Sequence, residues 1–241
     1  MEISMVNGAK ARGFNLYGGL DPADMPRYTR VDAGRATGVP ASTIGVWVHG
    51  MPYTTRKGRA RYEPVLALPD ISDPRLSFNN LLEVNVLRAL REVHEVKLQS
   101  VREAIENARS EHKIDRLLIH PSLRTSGGSL FLDYYFKLVD LSNSKQLAMR
   151  AILEHSLQRI EIDQDLRASF FPLPRHMAPD ERPILVSPYI LFGNAILERR
   201  GVSTHAIRSR VDAGEEKAAI IADYDLRNDE FEEAILYETA A

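Results

Sequence analysis

Four cations crowd one glycine: Arg56, Lys57, Arg59 and Arg61 surround Gly58, and no acid follows until Glu63. On a hairpin with glycine at its tip, such a cluster is suited to holding phosphates. Just upstream, Ser42, Thr43 and His49 carry short polar groups of the kind that meet base edges in a groove. With Arg35 and Val46 they complete a candidate nucleic-acid surface: Arg35, Ser42, Thr43, Val46, His49, Arg56, Lys57, Arg59 and Arg61. Other chemistry finds less support. The seven histidines, His49, His94, His112, His120, His155, His176 and His205, have no metal-ligand partner at helical spacing, and HExxH does not occur. Glu161, Asp163 and Asp165 form an acidic cluster that could take a cation or simply be a solvated turn. Gly127-Gly128 lacks the Gly-Lys-Ser/Thr ending of a phosphate loop. Ser187 and Ser203 have no base nearby by motif. The sequence therefore predicts no enzyme, no metal site and no cofactor.

The elements that must position the cations and the polar face are two short helices and a hairpin. Thr29 is a good N-cap, with Val31, Ala33 and Ala36 behind it at helical spacing. Gly34 lets a second helix cross closely, and Gly38 ends the first helix, because a residue past a helix end often needs positive φ. Val39 turns inward, Pro40 suits a helix start, and Ile44 and Trp47 form a buried stripe. This is helix-turn-helix spacing, and it leaves Ala41, Ser42, Thr43, Gly45, Val46 and His49 facing outward on a recognition helix. Tyr53 to Tyr62 is then the cationic hairpin, with Val65 to Leu68 as its returning strand.

The 241 residues suffice for a full core and for two or three small domains. Hydrophobic content of 44% and charged content of 27% fit a soluble globular protein. Without cysteine, disulfides and thiolate metal sites are excluded, and no apolar run predicts a membrane span or secretion signal. A cytoplasmic location is expected. The net charge of −2 hides an asymmetry: residues 1–61 carry nine Lys/Arg against four acids, whereas residues 202–241 carry four against ten. A basic start points to a polyanion. The acidic end could meet a basic protein, or it could merely aid solubility.

Residues 1–26 are glycine-rich and read as a loose arm. Ser77 opens a helix whose Phe78, Leu81, Leu82, Val84, Leu87 and Leu90 make a wide apolar face, and another helix runs from Leu98 with Val101, Ile105 and Ala108 inside. Leu117 to His120 reads as a short strand, and Leu130 to Leu141 alternates as a strand or hairpin. Gln146 to Leu157 is helical, Ile160 to Ile162 and Ala168 to Leu173 are edge strands, and Pro179 to Pro183 is a linker. Ile184 to Pro188 and Ala195 to Glu198 are two strands around the Phe192-Gly193-Asn194 turn. Three helices close the chain: one capped by Ser203 or Thr204, one starting at Glu215-Glu216, and one capped by Asn228 or Asp229.

Gly38-Val39, Thr43-Ile44 and Trp47 ahead of the cationic hairpin resemble the MerR-like winged-helix domains. The stretch Glu95-Val96-Lys97-Leu98-Gln99-Ser100-Val101-Arg102-Glu103-Ala104-Ile105 is similar to their phrase "GVxLxxVRxAI", departing from it with Glu95 in place of glycine. The C-terminal stretch carries Ile184-Leu185-Val186-Ser187-Pro188, Phe192-Gly193, Arg200-Gly201-Val202-Ser203-Thr204, Asp223-Tyr224-Asp225-Leu226 and Tyr237-Glu238. It resembles an uncharacterised domain of bacterial antitoxins with a homeodomain-like tri-helical core. In full order, residues 28–240 look like a larger, atypical VapB-type antitoxin.

That resemblance implies an α+β protein in four parts: a flexible arm (1–26), a MerR-like winged helix-turn-helix domain (27–115), a small α+β middle module (116–178), and a C-terminal tri-helical domain with a short β-hairpin (179–241). It also implies operator DNA and a cognate PIN-domain ribonuclease toxin as partners, with the toxin blocked by direct binding and the protein's own operon repressed. Symmetric operators call for a homodimer placing two recognition helices about 34 Å apart. The toxin-facing residues expected are Arg199, Arg200, Arg208, Tyr224 and Tyr237. An alternative is a MerR-like regulator that senses a small molecule in the middle module, without a toxin. A further one is a pure adaptor that does not use the hairpin cations.

Overall fold

The structure is a computed structural model and describes residues 19–56, 58–92, 96–119, 135, 143–165 and 167–240. It combines helices with small sheets. The helix-turn-helix comes first: α1 (Arg30–Thr37) and α2 (Ala41–His49), followed by an antiparallel hairpin of β1 (Met51–Thr55) and β2 (Gly58–Tyr62). α3 (Phe78–Glu92) is the central helix. Its apolar residues run round most of its circumference, and eleven of its fifteen residues are buried, so other elements must cover it on several sides. α1 packs on one side of it and α5 (Asn143–Leu157) on another, with α4 (Leu98–His112) following in sequence.

Polar residues buried along α3 are paired rather than stranded. Asn80 accepts from the Ser77 backbone N–H at 3.1 Å and donates to Ala67 O at 2.9 Å and to Glu83 at 2.7 Å. Burial pushes the Glu83 carboxyl up, while Arg116, 3.1 Å away, partly offsets that. Asn85 donates to Ser156 Oγ at 2.8 Å and so fixes α3 against α5. The continuous apolar core extends from Ala23 to Val186.

After α5 come the antiparallel pair β3 (Ile160–Ile162) and β4 (Ala168–Phe170). A three-stranded sheet of β5 (Ile184–Leu185), β6 (Ile196–Leu197) and β7 (Val202–Ser203) then leads into α6 (Thr204–Asp212), α7 (Lys217–Tyr224) and α8 (Asn228–Thr239). These last elements share a second core of Ile184, Leu197, Ile207, Ile220, Leu226, Phe231, Ala234 and Tyr237. Arg159 holds the connection between the two cores. Its buried guanidinium donates to the carbonyls of Phe171, Pro172, Pro179 and Glu181 at 2.5–3.3 Å.

Several expectations are corrected. Residues 19–26 are not loose: Pro22–Asp24 forms a 3-10 turn with Ala23 buried, and Asp24 pairs with Arg116 at 2.8 Å. Val65 to Leu68 is not a strand. The Val65 and Leu66 N–H groups donate to Trp47 O at 2.8 and 3.0 Å, so this segment caps the end of α2 instead of extending β2. Leu117–Ile119 is a 3-10 turn closed by Ile119 N–H to Arg116 O, because its apolar residues face the core on a tight bend. The expected strand over Leu130 to Leu141 lies largely outside the described residues, but Tyr135 within it is helical and buried. β7, which the alternation did not reveal, gives the C-terminal sheet its third strand.

Candidate nucleic-acid interface

α1 begins with a reciprocal cap. The Asp32 N–H donates to Thr29 Oγ1 at 3.2 Å, and the Thr29 N–H donates to Asp32 Oδ2 at 2.9 Å. Gly38, at φ +74°, ends the helix in the left-handed conformation. The turn is tight enough that a Cβ on Gly34 would stand 2.9 Å from the Val39 carbonyl oxygen. Val39, Ile44, Trp47 and Val48 are buried and fix α2 against the core.

At the far end of α2, Gly50 has φ +70°, and the chain passes so close that a Cβ there would meet Tyr62 O at 2.1 Å. The hairpin is thereby locked beside α2. Arg61 reinforces this by donating to the His49 carbonyl, a cation at a helix C-terminus. Arg102 of α4 donates to the Glu63 and Pro64 carbonyls just after β2.

The register pairs Thr54 with Arg59 and Pro52 with Arg61 on one face of the hairpin, and Tyr53 with Ala60 on the other. Tyr53 and Tyr62 stack with centroids 4.1 Å apart. Arg56, Arg59 and Arg61 are all exposed, and Lys57 lies outside the described residues. Ser42 is exposed, while Thr43, Val46 and His49 are half-buried. The structure thus brings Ser42, Thr43, Val46, His49 and the hairpin arginines into one continuous run of α2 and the strands after it.

Two expectations about this surface are overturned. Gly45 does not face solvent: Arg30 lies across it, with Nη1 2.7 Å from where a Cβ would be. Arg35 is not part of the surface. It sits against α8, donating to Ala240 O at 3.2 Å and lying 3.5 Å from both Asp32 and Glu238. Arg30 was missed as a candidate, although a glycine in mid-helix is itself a signal of close approach by another group. Among the described residues, no acceptor or carboxylate pairs with the guanidinium of Arg30, Arg56 or Arg59.

Residues 26–105 match the family model described as "Putative DNA-binding HTH domain". The helix-turn-helix domain therefore occupies about a third of the chain, toward its start, and the hairpin and α2 described above fall within it. Over most of its length the chain is similar to two proteins of Mycobacterium tuberculosis (strain ATCC 25618 / H37Rv). It is 25% identical over 230 residues to "Putative antitoxin VapB45", covering 88% of this chain and 93% of that one. It is likewise 25% identical over 221 residues to "Uncharacterized protein Rv2308", covering 89% and 90%. Among solved structures, the crystal structure of Rv2018 from Mycobacterium tuberculosis shares the fold, with a TM-score of 0.60 and 22% identity over 88% of this chain and 98% of that one. A DNA-binding helix-turn-helix domain and distant similarity to a protein described as "Putative antitoxin VapB45" point to a DNA-binding regulator.

The residues expected to face a toxin are engaged within the chain. Arg199 makes two 2.6 Å contacts to the buried Glu230, and Arg200 pairs with Asp225. Arg208 pairs with Asp212 one turn on, at 2.7 Å. The Arg210 guanidinium lies over Tyr224, with Cζ 5.1 Å from the ring centroid, and Tyr237 is buried below Arg175. These groups build the C-terminal domain. The acidic cluster is also used internally, as Asp163 accepts the Asp165 and Arg167 N–H groups at 2.9 Å and Glu161 pairs with Arg182. No helix among the described residues is long and apolar enough to cross a membrane.

Proposed function

We propose that this protein is a DNA-binding antitoxin of the VapB kind that represses its own operon as a homodimer and neutralises a PIN-domain ribonuclease toxin by direct binding. It has no enzymatic activity of its own. The observation that carries the reading is the exposed pair Arg56 and Arg59, without partners among the described residues, on a hairpin locked beside α2 within the helix-turn-helix domain. Folding alone does not call for exposed cations without partners; a polyanion does. The hairpin acts as a MerR-like wing on phosphates, and Ser42, Thr43 and His49 approach the bases.

Antitoxin function is supported by the similarity to a putative antitoxin across most of both chains. The C-terminal domain, with its acidic surface and an apolar tip at Ile190, Leu191 and Phe192, is the place where the toxin binds. Phe192 stands 61% exposed at that tip. Mobility shift on the protein's own upstream DNA and co-purification with the product of the adjacent gene test the two halves separately. Absence of both a shift and a complex removes the reading.

The small-molecule alternative seats its ligand in the middle module, but the observation that favours a small-molecule site lies outside that module. A cavity of about 330 Å³ lies between α1 and the C-terminal domain, lined by Arg27, Asp32, Arg35, His205, Tyr237 and Glu238. A ligand-dependent rise in Tm with no protein partner present would select that alternative.

A further inference from the structure

The position of Arg30 over Gly45 points to a base-reading role for this arginine, which the geometry assigns to the same face as Ser42 and His49. Ser42 and His49 stand three residues before and four after Gly45, so the three positions share one side of α2. Gly45 has no side chain, and Arg30 fills that gap: Nη1 lies 2.7 Å, Cδ 3.6 Å and Cζ 3.8 Å from the Cβ position. The guanidinium therefore rests on the backbone of the helix between two exposed or half-exposed polar residues.

Its origin is fixed as well. Arg30 is the first residue of α1, directly after the Thr29 cap, so the base of its side chain cannot drift. Among the described residues no carboxylate neutralises it, whereas Arg35 one and a half turns later is tied to Glu238 and Ala240. A charged, planar fork with free donors, held in the middle of a recognition helix, is suited to the paired O6 and N7 acceptors of guanine in the major groove. The hairpin arginines differ from it because they project from a strand pair beside the helix, where the phosphate backbone runs.

The inference rests on the DNA-binding reading, and the experiment separates the two. Wild-type protein is titrated by fluorescence anisotropy against a duplex of its own upstream region and a scrambled duplex of equal length. Arg30→Ala is expected to reduce the ratio of specific to non-specific affinity by about tenfold to a hundredfold. Arg30→Lys keeps the charge but not the fork, and should lose most of that ratio while retaining binding to the scrambled duplex.

Gly45→Ala should fold, since the added methyl meets only the movable end of Arg30, yet show the same loss of specificity. Replacing guanines in the upstream duplex one at a time by 7-deazaguanine should weaken wild-type binding at one position, where Arg30→Ala is indifferent. An equal loss on both duplexes with a shallower salt slope would make Arg30 a phosphate contact and overturn the inference. So would an unchanged specificity ratio in Arg30→Ala. Failure of the wild type to bind either duplex overturns the DNA-binding reading itself.

Discussion

The Tyr28 hydroxyl donates to the Gly193 carbonyl at 3.0 Å, a buried bond between residues 165 apart in the chain. It fastens the entrance of the helix-turn-helix to the loop ahead of β6. Gly193 has φ +80°, and a Cβ there would stand 2.3 Å from the Tyr28 hydroxyl. Burial pushes the Tyr28 phenol well up, so it remains a donor throughout the neutral range. Tyr28→Phe leaves the carbonyl unpaired and should cost about 1–2 kcal/mol. Gly193→Ala adds a clash to backbone strain and should cost about 2 kcal/mol or more. Urea midpoints measure both, and a neutral Gly193→Ala would contradict this seam.

The hairpin and the seam separate cleanly by salt dependence. Arg56→Ala and Arg59→Ala should each flatten the slope of log affinity against log salt by about 0.9 while leaving stability within about 0.5 kcal/mol. Arg35→Ala should do the reverse. It leaves the slope alone but loosens α8 from α1, because its partners are Asp32, Glu238 and Ala240 O. Anisotropy titrations at several salt concentrations, paired with thermal melts, distinguish the two patterns.

Arg159 is a buried cation with carbonyl partners instead of a carboxylate. Burial lowers its pKa, with Arg182 nearby adding to the effect. Removing it leaves the carbonyls of Phe171, Pro172, Pro179 and Glu181 without this donor. Arg159→Ala should therefore cost about 2–4 kcal/mol, and Arg159→Lys should recover little, since an ammonium cannot span the same fork. Chemical denaturation gives the value; full recovery by lysine would contradict the geometric argument.

Acid should weaken the C-terminal domain through Glu230. Burial favours its neutral form, but the Arg199 hydrogen bonds and the Arg227 N–H outweigh this and hold the carboxyl below its ordinary 4.5. A folded pKa below the unfolded one means stability that is present above about 4.5 and lost as pH falls through the depressed value. Glu230→Gln should lower stability by about 1–2 kcal/mol at pH 7, with the difference from wild type shrinking as pH falls. Melting curves between pH 7 and pH 3 follow this directly.

The turn between α1 and α2 makes a sharper demand on Gly34 than on Gly38. A Cβ on Gly34 meets the backbone oxygen of Val39 at 2.9 Å, whereas one on Gly38 meets nothing and only its φ of +74° resists substitution. Gly38→Ala should cost about 1 kcal/mol. Gly34→Ala should cost more and also reduce DNA affinity by tilting α2. Stability and anisotropy measured on the same two variants check the order.

What the amino-acid sequence determined by itself is local. Thr29, Gly38, Ile44 and Trp47 specify two helices and their turn because caps, positive φ and apolar spacing act within a few residues. The same holds for the wide face of α3 and for the apolar spacing of the three closing helices, although the last is capped at Arg227 and not at Asn228 or Asp229. Short apolar runs such as Val65 to Leu68 and Leu117 to Ile119 misled, since a few buried residues fit a strand, a cap or a 3-10 bend equally well. Tertiary structure alone decided which charges are free. Arg35 finds Ala240 across 205 positions, Arg199 finds Glu230, and Arg30 covers Gly45, while Arg56 and Arg59 keep no partner among the described residues. The reason is range: a cap reads its own turn, but an ion pair exists only once distant elements have docked.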